Sequence, residues 1–246
     1  MWALVKREWF LYFSTPLGYL SLGFFLTLST LFLWFFDTDF NLPNAGFADL
    51  NAFFVLAPWL FLLLVPALCM RSFSDEKRLG TLELLLTKPL GLWQILLAKY
   101  IANLMLLLTA LLPTVVYFFA IDALKVGNSG IDWGSTITAY WGLFCVGTSF
   151  VALGILSALL TKNQATAFMT ALLLCFIQFY VWKGIAELME QQELYRFFNA
   201  VGIFEHYLNL QQGVITLKDG VYFLGFNYIV LYVSKWLLYR IKNHKA

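Results

Sequence analysis

Six long apolar runs constrain the fold of this chain more than any other feature of its sequence. An α-helix rises about 1.5 Å per residue, so about 20 apolar residues cross the hydrocarbon core of a bilayer. The first run is too long for the core of a signal peptide, and no small-residue cleavage site follows it. The runs therefore predict six membrane-spanning helices, at residues 17–36, 52–69, 93–121, 138–160, 165–182 and 220–239.

The low content of charged residues supports the same interpretation. Only 12% of the residues are charged and 61% are hydrophobic, whereas a soluble domain carries about 25% charged residues. So few polar side chains cannot cover a water-soluble core of this size. We therefore expect an all-α integral membrane protein, with a single transmembrane domain over residues 1–246.

Two segments outside the apolar runs have helical patterns of their own. Residues 1–16 predict an amphipathic helix in the headgroup plane, in which Lys6 and Arg7 interrupt an apolar series that includes Trp9. A plain charged flank of the first span is the alternative. Residues 183–219, here called the distal segment, predict one or two short amphipathic helices at the membrane surface.

Several residues inside the predicted spans have expected structural roles. Gly147, Gly154 and Ala158 form a stripe of small residues, which is typical of close packing between membrane helices. Pro113 predicts an irregularity in the third span, because proline cannot donate a backbone hydrogen bond. Lys99, near the start of that span, is expected to extend its ammonium group to the membrane surface.

The distribution of basic residues predicts the orientation of the chain. Six spans place both termini on one face of the membrane, together with residues 70–92, here called the charged segment. This terminal face carries 12 of the 16 basic residues, and the opposite, distal face carries Lys125, Lys183, Arg196 and Lys218. Because short cytoplasmic loops are rich in Lys and Arg, we expect both termini in the cytoplasm and the protein in the inner membrane.

Several kinds of chemistry have no counterpart in the sequence. There is no G-x-x-x-x-G-K-[ST] loop for nucleotide phosphates, no HExxH and no GxSxG. The two histidines, His206 and His244, lie in segments predicted on opposite faces, so they cannot share a metal ion. With a net charge of only +2, nothing attracts the chain to nucleic acid. We expect neither an enzyme nor a bound cofactor or metal, and membrane lipid as a partner.

The charged segment is the densest run of charge in the chain. Residues 73–88 predict one helix, in which Asp75 and Arg78 form an i,i+3 ion pair. Its apolar stripe consists of Leu79, Leu82 and Leu86. Gly80 costs about 1 kcal/mol relative to Ala inside a helix, and close approach of another backbone is one reason to tolerate that cost. The segment is therefore either a solvated hairpin loop or a place where a soluble protein binds.

The order of residues in the charged segment resembles the first cytoplasmic loop of ABC-2 type transporter permeases. The residues that carry the resemblance are Arg71, Phe73, Glu76, Lys77, Gly80, Thr81, Leu82, Glu83, Leu84, Leu85, Thr87, Pro89 and Lys99. The resemblance covers the whole chain, including an N-terminal "elbow" helix, six spans and a late segment on the outer face. Within the family, residues 14–20, 47–50 and 70–89 are similar to the permease subunits of gliding-motility transporters.

The resemblance implies the fold of type V exporters and a set of partners. A separate cytosolic ABC ATPase subunit would rest on the charged segment, which would act as a coupling helix. A second permease half would complete the transporter, as a homodimer or as a larger subunit with an extracytoplasmic domain. The coupling residues implied by the motif are Arg71, Phe73, Glu76, Lys77, Gly80, Thr81 and Glu83.

The family pattern also suggests what individual residues of the charged segment do. Gly80 and Thr81 are expected to contact the ATPase subunit. The leucines expected to hold the segment against the spans are Leu82, Leu85 and Leu86. Glu76 would face the elbow helix, where Lys6 or Arg7 pairs with it. An exposed pair of this kind contributes only about 0–1 kcal/mol to stability.

Three functions remain open from the sequence. The preferred one is a half-transporter permease that moves a substrate when its ATPase partner closes on ATP. A membrane anchor that transmits ATPase motion to an envelope machine without a substrate is the first alternative. An ion-coupled carrier is the second, although the spans lack the series of buried carboxylates that such carriers use. The absence of a charged pocket favours a lipidic or amphiphilic substrate over a small ion.

Overall fold

The computed structural model describes residues 1–44, 49–124 and 132–243, and over these ranges the chain is all-helical, without strands. Within these described ranges, six helices are long and apolar enough to cross a membrane, which confirms the predicted fold class. The spans, in chain order, are Pro16–Phe35, Asn51–Cys69, Leu92–Ala123, Trp133–Leu160, Gln164–Glu187 and Leu217–Asn243. They are called the first to sixth spans below.

Shorter helices occupy the segments outside the spans. The elbow helix is Trp2–Phe13. The charged segment contains the helices Ser74–Arg78 and Thr81–Leu86. The distal segment contains Gln192–Val201 and Ile203–Gln211, as its amphipathic pattern predicts.

Three spans contain irregular turns. The first span ends in a π-helical turn, Leu31–Phe35, and the fifth contains another, Ile177–Val181. In the third span a 3-10 turn, Leu112–Thr114, separates the helix Leu92–Leu111 from Val115–Leu124. Pro113 lies in that turn, which confirms the predicted irregularity.

The second and fourth spans form the centre of the bundle. In the most apolar 18-residue stretch of each of these two spans, 72% is buried inside the protein. The corresponding share is 22% for the first and fifth spans and 28% for the sixth. The two central spans meet at Gly154, where an added Cβ would lie 2.6 Å from the Cβ of Cys69. Close approach of this kind lets dispersion contacts hold helices together where lipid removes the hydrophobic driving force.

The other small residues of the fourth span lie against different neighbours. Gly147 faces the side chain of Leu107 in the third span, and Ala158 is fully buried. Gly142 faces the distal segment, because an added Cβ would lie 2.8 Å from the Cβ of Leu210. The fourth span therefore packs through its small residues against the second span, the third span and the distal segment.

Several helices are longer than the apolar runs that predict them. The fourth span begins at Trp133 because Asp132 caps it, its carboxylate accepting a hydrogen bond from the backbone N–H of Gly134 at 2.9 Å. The sixth span begins at Leu217 and continues to Asn243, through its basic end. Polar residues in the terminal turns lower a hydropathy average without ending a helix.

Phe47, Ala48, Lys125 and His244, which enter the sequence predictions, lie outside the described residues.

Candidate functional site

The charged segment folds into two short helices instead of the single predicted helix. Ser74–Arg78 and Thr81–Leu86 are separated at Gly80, whose φ is +72°. This left-handed conformation costs an L-residue about 1–2 kcal/mol, and only glycine adopts it freely. The prediction of an uninterrupted helix was therefore wrong, because a left-handed turn at Gly80 separates the two helices. Among the described residues no atom lies within 4 Å of the would-be Cβ of Gly80, and its expected contact with another protein stays a prediction.

A cluster of four charges joins the charged segment to the elbow helix and the third span. Lys99 of the third span is 1% exposed, and its Nζ lies 3.1 Å from Oε1 of Glu76 and 3.2 Å from Oε1 of Glu8. Nη2 of Arg7 lies 2.9 Å and 2.6 Å from the same two oxygens. Each carboxylate oxygen is thus shared by two cations, and the cluster is neutral overall. Arg7, Glu8, Glu76 and Lys99 are called the charge cluster below.

The charge cluster changes two expectations about its members. Lys99 does not extend to the membrane surface, because two carboxylates and the Ser72 carbonyl, which accepts a hydrogen bond from its Nζ, surround it inside the protein. Glu76 does pair with Arg7, but it is only 15% exposed. The predicted pair is therefore part of a network in which Lys99 is buried and Arg7, with 43% of its side chain exposed, lies at the surface. Lys6 is exposed on the surface of the elbow helix.

Neighbouring residues fix the position of Lys99. Its ammonium group lies 4.8 Å from the centre of the fully buried Phe73 ring, within the range of a cation–π contact. One turn further along the third span, Asn103 donates hydrogen bonds to Ser72 Oγ at 2.9 Å and to the Lys99 carbonyl at 2.8 Å. These contacts hold the start of the charged segment against the third span.

The burial of Lys99 makes the charge cluster important for the stability of the protein. Removing the buried Lys99 would cost about 3–5 kcal/mol, because it leaves a carboxylate charge uncompensated in a low-dielectric environment, whereas solvent screens the contribution of the exposed Arg7. Burial lowers the pKa of the Arg7 guanidinium, but the adjacent carboxylates of Glu8 and Glu76 raise it by more, so that its pKa lies above the usual value. Arg7 therefore stays charged, and the cluster holds three separate segments together.

The charged segment also contacts the elbow helix and the fourth and fifth spans through other polar residues. Asp75 lies 3.4 Å from Arg78, as predicted, and accepts a hydrogen bond from Gln164 at the start of the fifth span. Arg71 donates to Thr15 Oγ1 at 3.0 Å, just after the elbow helix. Lys77 donates to the Leu159 carbonyl at the end of the fourth span. A displacement of the segment would therefore act on most of the bundle.

A cavity of about 450 Å³ lies beside the charge cluster. It is lined by members of the cluster together with Arg71, Ser72 and Asn103, and by apolar residues such as Leu68 and Leu106. Among the described residues, the buried atoms Arg71 Nε and Glu76 Oε2 make no hydrogen bond. The cavity borders both residues and is large enough to hold water beside these two atoms.

The outward face of the charged segment is apolar at two positions. Leu79 is 68% exposed and Leu84 is 67% exposed, although a single helix would place Leu79 on the same stripe as the buried Leu82 and Leu86. Gly80, Thr81 and Glu83 are also exposed, between these two leucines. The leucines that face the spans are Leu82, Leu85 and Leu86, all buried. The motif residues therefore divide into a set that faces the spans, including Phe73 and Glu76, and a set that faces outward.

Sequence reasoning did not identify Glu8 and Lys99 as partners. Glu8 is one of three consecutive charged residues in the elbow helix, and Lys99 is expected near the membrane surface. They are far apart in the chain, and no periodic pattern connects them. The signal that was present is the enrichment of opposite charge in residues 6–8 and 71–78, which carry both signs close to the predicted membrane surface.

Comparison with known families agrees with the architecture. The sequence profile of the family described as ABC-2 family transporter protein matches residues 52–239, which is about three quarters of the chain. No curated protein sequence gives a significant match. Within the described residues, no group of three or more His, Cys, Asp or Glu side chains is placed to hold a metal ion. The chain is a multi-pass membrane protein, and it belongs to the ABC-2 transporter family.

Proposed function

We propose that this chain is the permease subunit of an ATP-driven exporter, and that a separate ATPase subunit binds to its charged segment. The observation that carries the proposal is the position of Lys99, fully buried between Glu8 and Glu76. A solvated hairpin loop has no reason to be tied to two other segments by buried charge, since burial of charge is costly unless the partners stay in place.

The outward face of the charged segment supplies the contact surface in this proposal. Leu79 and Leu84 present apolar side chains on the terminal face, beside the charged side chains of Arg78 and Glu83. Exposed apolar residues flanked by charge are typical of protein interfaces. When the ATPase subunit closes on ATP, a displacement of this face would pass through the charge cluster to the elbow helix and the third span.

The wider assembly follows from the family and from the charge distribution. A second permease half completes the transporter, either a second copy of this chain or a larger subunit. The chain itself does not hydrolyse ATP, because it has no phosphate-binding loop. The excess of basic residues on the terminal face supports cytoplasmic termini in the inner membrane. The similarity of residues 14–20 and 70–89 to gliding-motility permeases supports that subtype.

An apolar groove supports an amphiphilic substrate. The groove has a volume of about 990 Å³ and lies between the first, second and fifth spans. Its lining includes Leu20, Phe24, Leu63 and Phe168. A cavity of this size and character accommodates a molecule with one or more hydrocarbon chains, and its lining residues belong to the halves of these spans nearest the terminal face.

Site-specific photocrosslinking tests the position of the ATPase subunit. The photoreactive amino acid benzoylphenylalanine is placed at position 84 of the full chain in its native membrane, and nucleotide-binding proteins are labelled with azido-ATP. We expect irradiation to give an adduct between the chain and an azido-ATP-labelled protein. The matched control is position 188, where Leu188 is 79% exposed on the distal face, and it should give none. No nucleotide-binding adduct from position 84 would contradict the proposal.

A further inference from the structure

A second buried polar cluster lies at the opposite end of the bundle. His206, in the helix Ile203–Gln211, is 4% exposed, and Asp219, in the first turn of the sixth span, is 1% exposed. Nδ1 of His206 lies 2.6 Å from Oδ1 of Asp219. His206 and Asp219 are called the distal pair below. No step of the proposed coupling mechanism uses this pair.

Both hydrogen bonds of the His206 ring are made only when both of its nitrogens carry a hydrogen. Nε2 of His206 lies 3.2 Å from the Ala200 carbonyl oxygen, which can only accept, so this contact is a hydrogen bond only when Nε2 carries a hydrogen. On the other side of the ring, Nδ1 faces a carboxylate oxygen. Two lone pairs cannot approach to 2.6 Å without repulsion, so one further proton lies between Nδ1 and Oδ1.

The carboxylate of Asp219 receives additional donors. Thr216 Oγ1 donates to Oδ2 at 2.7 Å, and the Asn209 side-chain amide lies 3.3 Å and 3.4 Å from the two oxygens. These neutral donors stabilise negative charge on Asp219. When both contacts of the ring are made, the imidazole therefore carries two hydrogens, and the one on Nδ1 of His206 is shared with the Asp219 carboxylate. Loss of this proton would leave one uncompensated negative charge in a buried site.

Other charged and titratable groups around the distal pair do not replace that proton. Tyr222 of the sixth span stacks on the His206 ring at 3.9 Å, and its hydroxyl donates to the Val201 carbonyl. Lys183 of the fifth span contacts the ring of Phe204 and pairs with Glu187 at 3.7 Å. The neighbouring charged residues in sequence, Glu205 and Lys218, are both exposed.

The distal pair connects the distal segment to two spans. His206 and its acceptor Ala200 belong to the two distal helices, whereas Asp219 and Tyr222 belong to the sixth span. Gln178 of the fifth span donates hydrogen bonds to the Tyr222 hydroxyl at 2.9 Å and to the Val201 carbonyl at 2.7 Å. The pair is thus the charged centre of the contact that holds the distal helices on the bundle.

We propose that the distal pair is a proton-binding site that holds the distal segment against the sixth span. With the proton bound, the contact is complete and the distal helices are held in place. Without it, the neutral imidazole keeps one N–H for two acceptors, so the contact with either Asp219 or Ala200 is lost beside an uncompensated carboxylate, and the helix Ile203–Gln211 is released. Because the held state binds the proton and the released state does not, a rise in pH on the distal face favours release.

Hydrogen exchange of the full chain in lipid nanodiscs tests the proposal. Amide protection in residues 199–211, corrected for the intrinsic effect of pH on exchange, is measured from about pH 5 to about pH 9, the range in which histidine changes charge. We expect protection to fall as pH rises, by at most about tenfold per pH unit because one proton is involved. The elbow helix, at the other end of the bundle, is the internal reference and should show no such slope.

Two variants assign the slope to the distal pair. Asp219→Asn places a neutral amide donor opposite Nδ1, so no shared proton is needed and protection should be independent of pH. Glu205→Gln removes an exposed carboxylate one residue from His206 and should keep the wild-type slope. Flat protection in the wild type, or an unchanged slope in Asp219→Asn, would overturn the proposal.

A direct measurement of the ring decides the outcome if a variant fails to fold. The chain has only two histidines, His206 and His244, so ¹⁵N-histidine labelling of the wild type gives two imidazole signals, and His244→Gln identifies the one from His206. We expect His206 to be doubly protonated at low pH and to lose a proton over the same pH range in which protection falls. Loss of protection with no change in the His206 signals would exclude the distal pair as its cause.

Discussion

The two ends of the bundle hold their surface helices in different ways. On the terminal face, four charges in the charge cluster bind the charged segment and the elbow helix to the third span. On the distal face, Nδ1 of one histidine lies 2.6 Å from Oδ1 of one aspartate, and in our proposal the two residues share a single proton. The first arrangement has two cations for two carboxylates and needs no exchangeable proton for neutrality. If the distal pair binds its proton as proposed, the connection on the terminal face is independent of an exchangeable proton and the connection on the distal face is reversible with pH.

Removal of Lys99 should have the largest effect. Lys99→Met leaves Glu8 and Glu76 with Arg7 as their cation in the cluster, so we expect a loss of about 3–5 kcal/mol in the free energy of unfolding. Equilibrium unfolding in mixed detergent micelles measures it. Lys162→Met, which removes an exposed lysine from the same face, should change stability by less than about 0.5 kcal/mol. Equal effects of the two variants would show that the charge cluster is not a strong connection.

An added methyl group should destabilise the protein more in the central pair of spans than at the contact between the fourth span and the distal segment. Gly154→Ala places a methyl group against Cys69 in the central pair of spans, and Gly142→Ala places one against Leu210 in a short distal helix. Overpacking costs about 1–3 kcal/mol, and we expect Gly154→Ala near the upper end because neither central span can move. Gly23→Ala, with no atom within 4 Å of the new Cβ, is the control and should not destabilise. A larger cost for Gly142→Ala would reverse the comparison.

The turn at Gly80 should give the smallest of these effects. Gly80→Ala forces an L-residue into the left-handed conformation and should cost about 1–2 kcal/mol. Gly184→Ala, at an open helical position of the fifth span, should instead be neutral or stabilising by up to about 1 kcal/mol. The same unfolding assay compares them. If Gly80→Ala behaves like Gly184→Ala, the turn between the two helices of the charged segment is not fixed by its backbone conformation.

The spans could be predicted from the sequence because a membrane demands a local property, an uninterrupted apolar run. The break at Gly80 could not, because glycine is compatible both with a costly helix interior and with a left-handed turn, and only the surrounding backbone decides between them. This turn also separates the exposed Leu79 from the buried Leu82 and Leu86, with which a single helix would align it.

The two buried polar clusters were beyond sequence reasoning for another reason. From the sequence, Lys99 is predicted to reach the membrane surface. Its partners Glu8 and Glu76 cannot be recognised there, because they belong to segments that are distant from it in the chain. His206 and Asp219 are closer in sequence, but a turn and a helix boundary separate them. Long-range pairing depends on how the helices pack, which hydropathy and spacing do not specify.

The most direct test of the central claim is the rate of ATP hydrolysis by the assembled transporter with Glu76→Gln. This change keeps the shape of the side chain and the outward face of the charged segment, but removes one charge from the charge cluster. We expect the ATPase subunit to co-purify as with the wild type, while stimulation of its hydrolysis by the permease falls by about 5-fold or more, the range of a coupling energy of about 1–3 kcal/mol. Unchanged co-purification with unchanged stimulation would contradict the claim that the charge cluster transmits the motion of the ATPase subunit.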